Sequence, residues 1–260
     1  MLTYPASIPL STRSLTHLSD LIRAHRRDLG SRWRRLDPAR QALLVLAHLR
    51  NGDTYSRLAA GFDIGTATVY RYIREALTLL AAQAPNLQQV MNTTTRLLYV
   101  ILDGTLIPID RIADQKPYYS GKHHRHGVNV QVLADPAGRL IWASPALPGA
   151  VHDLTAARTH GLLDALTSHA VPTLADKGYQ GARGTITTPF KRHRRRHRLS
   201  RNEKAVNCAH ARNRSIGERA IATLKTWKIL TKLRCCPSRA TTIVQAILVL
   251  EKRETTRDPG

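Results

Sequence analysis

Near Pro85 to Asn92 the apolar residues of this chain change their period, and that change limits the fold more than any other feature of the sequence. Before it they recur at helical spacing; after it they alternate or run continuously, as strands do. The order is therefore a helical segment followed by a mixed α/β or α+β one. Residues 1–37 carry Leu15, Leu18, Ile22 and Leu29 among many Arg, the pattern of a short amphipathic helical extension. A clear helix starts at Pro38 in "PARQALLVLAHLR", with Asp37 as N-cap, Pro at the first helical position and Asn51-Gly52 at its end. "TYSRLAAGF" reads as a second helix, "DIG" as a turn and "TATVYRYIREALTLLAA" as a third helix with Val69, Ile73, Ala76, Leu77 and Leu80 on one face.

Two short helices joined by a tight turn describe either an ordinary three-helix packing unit or a helix-turn-helix, and "LAAGFDIGTATVYRYI" resembles the latter. The apolar stripe leaves Thr66, Thr68, Tyr70, Arg71 and Arg74 pointing outward, a set suited to the major groove of double-stranded DNA. Gly65 departs from the usual Ser or Thr cap, at a cost of only a few tenths of a kcal/mol. Residues 38–88 form this segment, 89–254 the mixed domain and 255–260 a tail.

Charge points to the same partner. Forty Lys and Arg against eighteen Asp and Glu give +22, an excess that disfavours self-association and draws the chain to polyanions. Nucleic acid leads, and an anionic membrane surface is the weaker candidate. No apolar run is long enough to span a bilayer, and "MLTYPASIPLSTRS" lacks the layout of a secretion signal, so a cytoplasmic protein is expected. Cys208, Cys235 and Cys236 suggest neither a disulfide framework nor a zinc site. The run "KRHRRRHR" at 191–198 is either a DNA contact or a solvated loop.

Scarce acids carry information here. Asp103 closes the apolar strand "LLYVILD", and Asp176 closes "VPTLAD". Each alone is a common turn former. Beyond them come "GVNVQVLAD" and "RLIWASPAL" as strands, "DLTAARTHGLLDAL" as a helix, and a long basic helix holding Glu218, itself readable as a surface residue or an ion-pair partner of Arg214. Together the three allow another role: carboxylates converging on a metal pair. A phosphodiester repels nucleophiles, and two divalent ions about 4 Å apart relieve that repulsion on both sides of the phosphorus.

At this point "DGTLIPI", "KPYYSGKHHRHGVNVQVLADPAGRLIWASPALPGAVHD", "LADKGYQG" and "NCAHARNRSIGERAIATLK" resemble the catalytic domain of DDE-type insertion-sequence transposases, bacterial relatives of Harbinger transposases. The resemblance implies a ribonuclease-H-like fold and a carboxylate triad of Asp103, Asp176 and Glu218, holding two Mg²⁺ or Mn²⁺ ions. It implies phosphate contacts from Arg214 and Lys225 and a homodimer or higher oligomer in the DNA complex. The implied activity is metal-dependent cutting of element ends and joining of the 3′-hydroxyl to target DNA, the alternatives being a non-catalytic regulator and a nuclease without strand transfer. Lys122 with its neighbouring His and Tyr residues forms a second basic patch. His152 and Asp153 belong to a family motif; Asp153 reads as the N-cap of the following helix, or as a supporting acid.

Overall fold

The computed structural model describes residues 7–31, 34–110, 115–192 and 198–255. Most of the basic run, residues 193–197, and the tail from 256 lie outside them. Contacts divide the chain into two compact units, one of Met1–Ala84, Leu224–Leu233 and Thr242–Gly260, the other of Pro85–Thr223 and Arg234–Thr241.

The first unit is helical. Helix α1 (Thr12–Asp28) buries Leu18 and Ile22, while Leu29 lies past its end and is exposed, outside the stripe its spacing suggested. Helix α2 (Pro38–Asn51) starts where the Asp37 carboxylate accepts from the Ala39 and Arg40 amides at 2.9 and 3.0 Å, and it stops at Gly52, whose φ of 71° is open to glycine at little cost. Helix α3 (Tyr55–Phe62) is capped by Thr54; Asp63 in the left-handed region turns the chain, and α4 (Thr66–Ala81) begins at Gly65 without a side-chain cap. The expected stripe of α4 is buried, and Tyr72 joins it, its hydroxyl accepting from the Leu36 amide at 3.4 Å. Beside it, buried Gln41 donates to Glu75 at 2.9 Å, and Arg34 closes on the same carboxylate at 3.1 Å. These polar groups are satisfied mutually, as burial requires.

The second unit is a mixed sheet with helices on both faces. It opens with α5 (Leu87–Thr94), set by a capping box between Asn86 and Gln89 in a stretch the sequence had left as a break in pattern. Strand β1 (Val100–Pro108) pairs antiparallel with β3 (Arg125–Ala134) along its length. The short strands β2 (Tyr119–Ser120), β4 (Leu140–Ala143) and β5 (Leu147–Pro148) pair along β3 as well, all antiparallel. On the other side of β1, β6 (Thr173–Ala175) runs parallel to it and β7 (Ile186–Thr187) parallel to β6. The path is β2-β3-β1-β6-β7, with β4 and β5 also paired to β3; antiparallel strands on one side of β1 and parallel β6 and β7 on the other make the ribonuclease-H-like order the resemblance implied.

Alternation along β1 assigns its faces. Val100 and Leu102 join a core with Met91, Trp142 and Tyr179 and with α6 (Asp153–Thr159) and α7 (Leu162–Ser168). Ile101 faces the other way, toward Ala220 and Ile216. Two expectations change here. "DLTAARTHGLLDAL" is two helices, broken at Gly161 with φ 64°. The long basic helix is also two, α8 (Arg201–Ser215) and α9 (Gly217–Lys225), interrupted at Ile216. Gly217 sits against the Ile101 side chain so closely that an added Cβ would overlap it. Finally α10 (Ala240–Thr255) returns, from Thr242 onward, to the helical unit.

Candidate active site

Sheet register brings the two aspartates together. The last pairs between β1 and β6 are Ile101 with Leu174 and Leu102 with Ala175, so the next step sets Asp103 beside Asp176. Neighbouring strands lie about 4.8 Å apart, which makes this a carboxylate pair on one face. Asp103 does not end its strand, contrary to the sequence reading. β1 continues to Pro108 because β3 goes on pairing with it; what ends at Asp103 is the cover provided by β6. Asp176 does end β6, and its carboxylate accepts from the Gly178 amide at 2.8 Å across a short 3₁₀ turn.

The pair is electrostatically loaded. Burial first, then Asp176, pushes the Asp103 carboxyl up to about 6, against the opposing pull of Arg214 and the Gly104 amide. Arg214 spans the acids, Nη1 lying 3.4 Å from Asp103 and Nη2 3.6 Å from Glu218. Glu218 is on the first turn of α9 with a side chain 64% exposed, so it is tied to the pair through Arg214 and not drawn in beside it. Among the described residues no three His, Cys, Asp or Glu side chains enclose a point where a metal ion would sit. Mg²⁺, however, is ordinarily held by one or two carboxylates, waters and substrate phosphate. The Asp103–Asp176 pair fits that requirement, and its mutual repulsion is what a cation would relieve.

Asp153 belongs to this region by geometry. It is not the N-cap of α6; that place is His152, which is exposed and makes no side-chain cap bond. Asp153 is buried, and its Oδ1 accepts from Asn129 Nδ2 at 2.9 Å while Oδ2 takes the Lys122 ammonium at 2.8 Å. Burial opposes ionisation, but the bonds from Lys122 and Asn129 outweigh it and hold the carboxyl below its ordinary range. Glycine makes the room: a Cβ on Gly104 would collide with the Asp153 carboxylate, and one on Gly178 would lie 3.2 Å from its Oδ2. Asn129 and Gln131, spaced by two on the core face of an otherwise apolar strand, were the overlooked signal for this network.

Elsewhere the sequence candidates are spread out. On α4, Thr66, Arg71 and Arg74 are exposed; Thr68 and Tyr70 are half-buried, Thr68 accepting from Arg71 at 3.2 Å and Tyr70 lying edge-on to Tyr55. Lys225 is exposed at the end of α9, in the stretch that groups with the helical unit. Because of the break at Ile216, Arg214, Glu218 and Lys225 do not share one continuous helix.

The raised Asp103 carboxyl has a measurable consequence without metal. A group whose folded pKa exceeds its unfolded one stabilises the fold below the unfolded value and loses that contribution as pH rises through the folded one. Between pH of about 4 and about 7 the melting temperature of Asp103→Asn, in chelator, should therefore gain on that of the wild-type protein. A difference constant across this interval would show a carboxyl that titrates normally.

The family model of DDE superfamily endonucleases matches residues 102–252, and that of their helix-turn-helix matches residues 34–86. Over 195 residues, 75% of this chain and 71% of the relative, the sequence is 31% identical to the protein assigned as transposase for insertion sequence element IS112 of Streptomyces albus G. It is 24% identical over 232 residues, 85% of this chain and 83% of the relative, to the one assigned to insertion sequence element IS702 of Microchaete diplosiphon. No solved structure matches the chain significantly.

Proposed function

The chain belongs to the DDE-type insertion-sequence transposases with an N-terminal helix-turn-helix, and from that premise we propose that it binds the ends of its element, cuts one strand there and joins the freed 3′-hydroxyl to target DNA. The observation that carries this reading is the β1–β6 register, which sets Asp103 beside Asp176 on an open strand edge with Arg214 linking the pair to Glu218. Endonucleases of this superfamily act with divalent metal ions, and we take these to be two Mg²⁺ or Mn²⁺ ions. Bound there, they would activate the attacking oxygen and neutralise the leaving one.

The protein's own groups do the rest. Asp103 and Asp176 would hold the cations, and Glu218, released when a DNA phosphate takes Arg214, would complete the triad. Arg214 carries a positive charge beside the site, where a backbone phosphate replaces its carboxylate partners. Helix α4 reads the element end through Arg71 and Arg74, and two copies of the chain hold the two ends.

Incubating the protein with a duplex copied from the DNA flanking its coding region, Mg²⁺ and a target plasmid tests the reading. Joined products are expected. Nicked products alone would reduce the activity to a nuclease, and a mobility shift alone to a DNA-binding protein. Arg71→Ala and Arg74→Ala should each weaken binding to that duplex by about 1–3 kcal/mol while leaving nicking of unrelated DNA intact. Unchanged affinity in both variants would remove α4 as the reader.

A further inference from the structure

Lys122 stands at the tip of the hairpin between β2 and β3, and its ammonium is aimed inward, onto Asp153. An ion pair made only for stability would gain little here, because the lysine side chain is 49% exposed. Its partner is different. Asp153 has one-tenth of its side chain exposed and is gripped on Oδ1 by a directed chain of donors: Tyr179 hydroxyl to Gln131 Oε1 at 2.5 Å, Gln131 Nε2 to Asn129 Oδ1 at 2.8 Å, and Asn129 Nδ2 to Asp153 at 2.9 Å. Each group in that chain has only one orientation that satisfies its neighbours, so Asp153 is fixed as an acceptor with Oδ2 free for a cation. Gly104 and Gly178 leave the space that this carboxylate needs, on the backbone stretches that carry Asp103 and Asp176. Gly178 is the neighbour the two acids share: an added Cβ there would lie 2.9 Å from Asp176 Oδ1 and 3.2 Å from Asp153 Oδ2, so the carboxylate that carries the half-exposed Lys122 cation stands next to Asp176.

We propose that Lys122 is a catalytic residue that grips the scissile phosphate beside the Asp103–Asp176 pair, and that Asp153 is the positioning residue that holds its ammonium there. The inference rests on the function proposed above. A phosphate brought to the pair meets Lys122 already ordered, so its charge is offset as the reaction proceeds without a search by a flexible side chain. Tyr179, Gln131 and Asn129 act one step further back, by keeping Asp153 still.

The test compares Lys122→Met, Lys122→Arg, Asp153→Asn and the double variant Lys122→Met/Asp153→Asn with the wild-type protein and with Asp103→Asn, using the flanking-DNA duplex and Mg²⁺. At saturating DNA, Lys122→Met should cut about 100-fold more slowly while staying folded, with a lowered melting temperature because the buried Asp153 loses its cation, a loss the added Asp153→Asn should reverse without restoring cutting. Lys122→Arg should recover activity to within about tenfold of wild type, since a cation returns to the same place. Asp153→Asn should lose a similar factor, and the double variant should be no slower than the worse single, because both act through one group. Wild-type cutting by Lys122→Met, or losses that multiply in the double variant, would overturn the proposal while a dead Asp103→Asn left the reading of the site intact. If Asp103→Asn also cut at the wild-type rate, that reading would fall and this inference with it.

Discussion

Asp103→Asn and Asp176→Asn are each expected to lower metal-dependent cutting by at least about 1000-fold, with DNA binding unchanged or tightened. The amide keeps the shape of the carboxylate but carries no charge to hold a cation, and removing a negative group favours the approach of DNA. The losses should not add, because the two residues form one unit at the edge of β1. Glu218→Gln is the sharper case. Its present partner is Arg214 at 3.6 Å on an exposed face, an interaction worth about 0.5 kcal/mol or less, so stability should hardly move. Activity should fall as far as in the aspartate variants. Cutting at the wild-type rate by Glu218→Gln, with Asp103→Asn inactive, would remove Glu218 from the triad and direct attention to Asp153.

Periodicity carried much of this architecture. The helical spacing of Val69, Ile73 and Leu80 and the caps at Asp37 and Gly52 gave α2 and α4 because local chemistry decides helix ends. The strands around "LLYVILD" and "VPTLAD" were equally legible, but which one lay beside the other was not. Register between β1 and β6 depends on residues far apart in sequence, and only family resemblance stood in for it. The break at Ile216 escaped the sequence because nothing in "NRSIGERA" except Gly217 marks it, and the close neighbour that requires a glycine there, Ile101, is more than a hundred positions away. Asp153 was misassigned for a related reason. A helix-start aspartate ordinarily caps its own helix, whereas this one is drawn to Asn129 and Lys122 by the strands in front of it.

A fragment ending at residue 88, the stretch that the sequence marks as helical, should fail to fold cooperatively although it contains the whole helix-turn-helix match. By contacts, the helical unit is completed by Leu224–Leu233 and by α10 from Thr242 onward. Trp227 is fully buried and donates its indole N–H to Glu251, whose carboxyl is pushed up by burial. Glu254 accepts from the Ser11 amide at 3.1 Å and hydroxyl at 2.8 Å, and from the Ser14 hydroxyl, tying α10 to the start of α1. Along α10, Ile243, Val244, Ile247, Leu248 and Leu250 are all at most 4% exposed. At about 1.5–3 kcal/mol each, burying five such side chains contributes about 8–15 kcal/mol, an upper figure because denatured chains are already partly collapsed. That is comparable to the entire stability of a domain, about 5–15 kcal/mol. In the full chain Trp227→Ala should destabilise this unit by about 3–5 kcal/mol. Thermal unfolding followed by circular dichroism, together with binding to the flanking-DNA duplex, decides the matter: the fragment should melt without a cooperative transition and bind weakly. A sharp transition, with the affinity of the full protein, would show that the first four helices need no help from the other end of the chain.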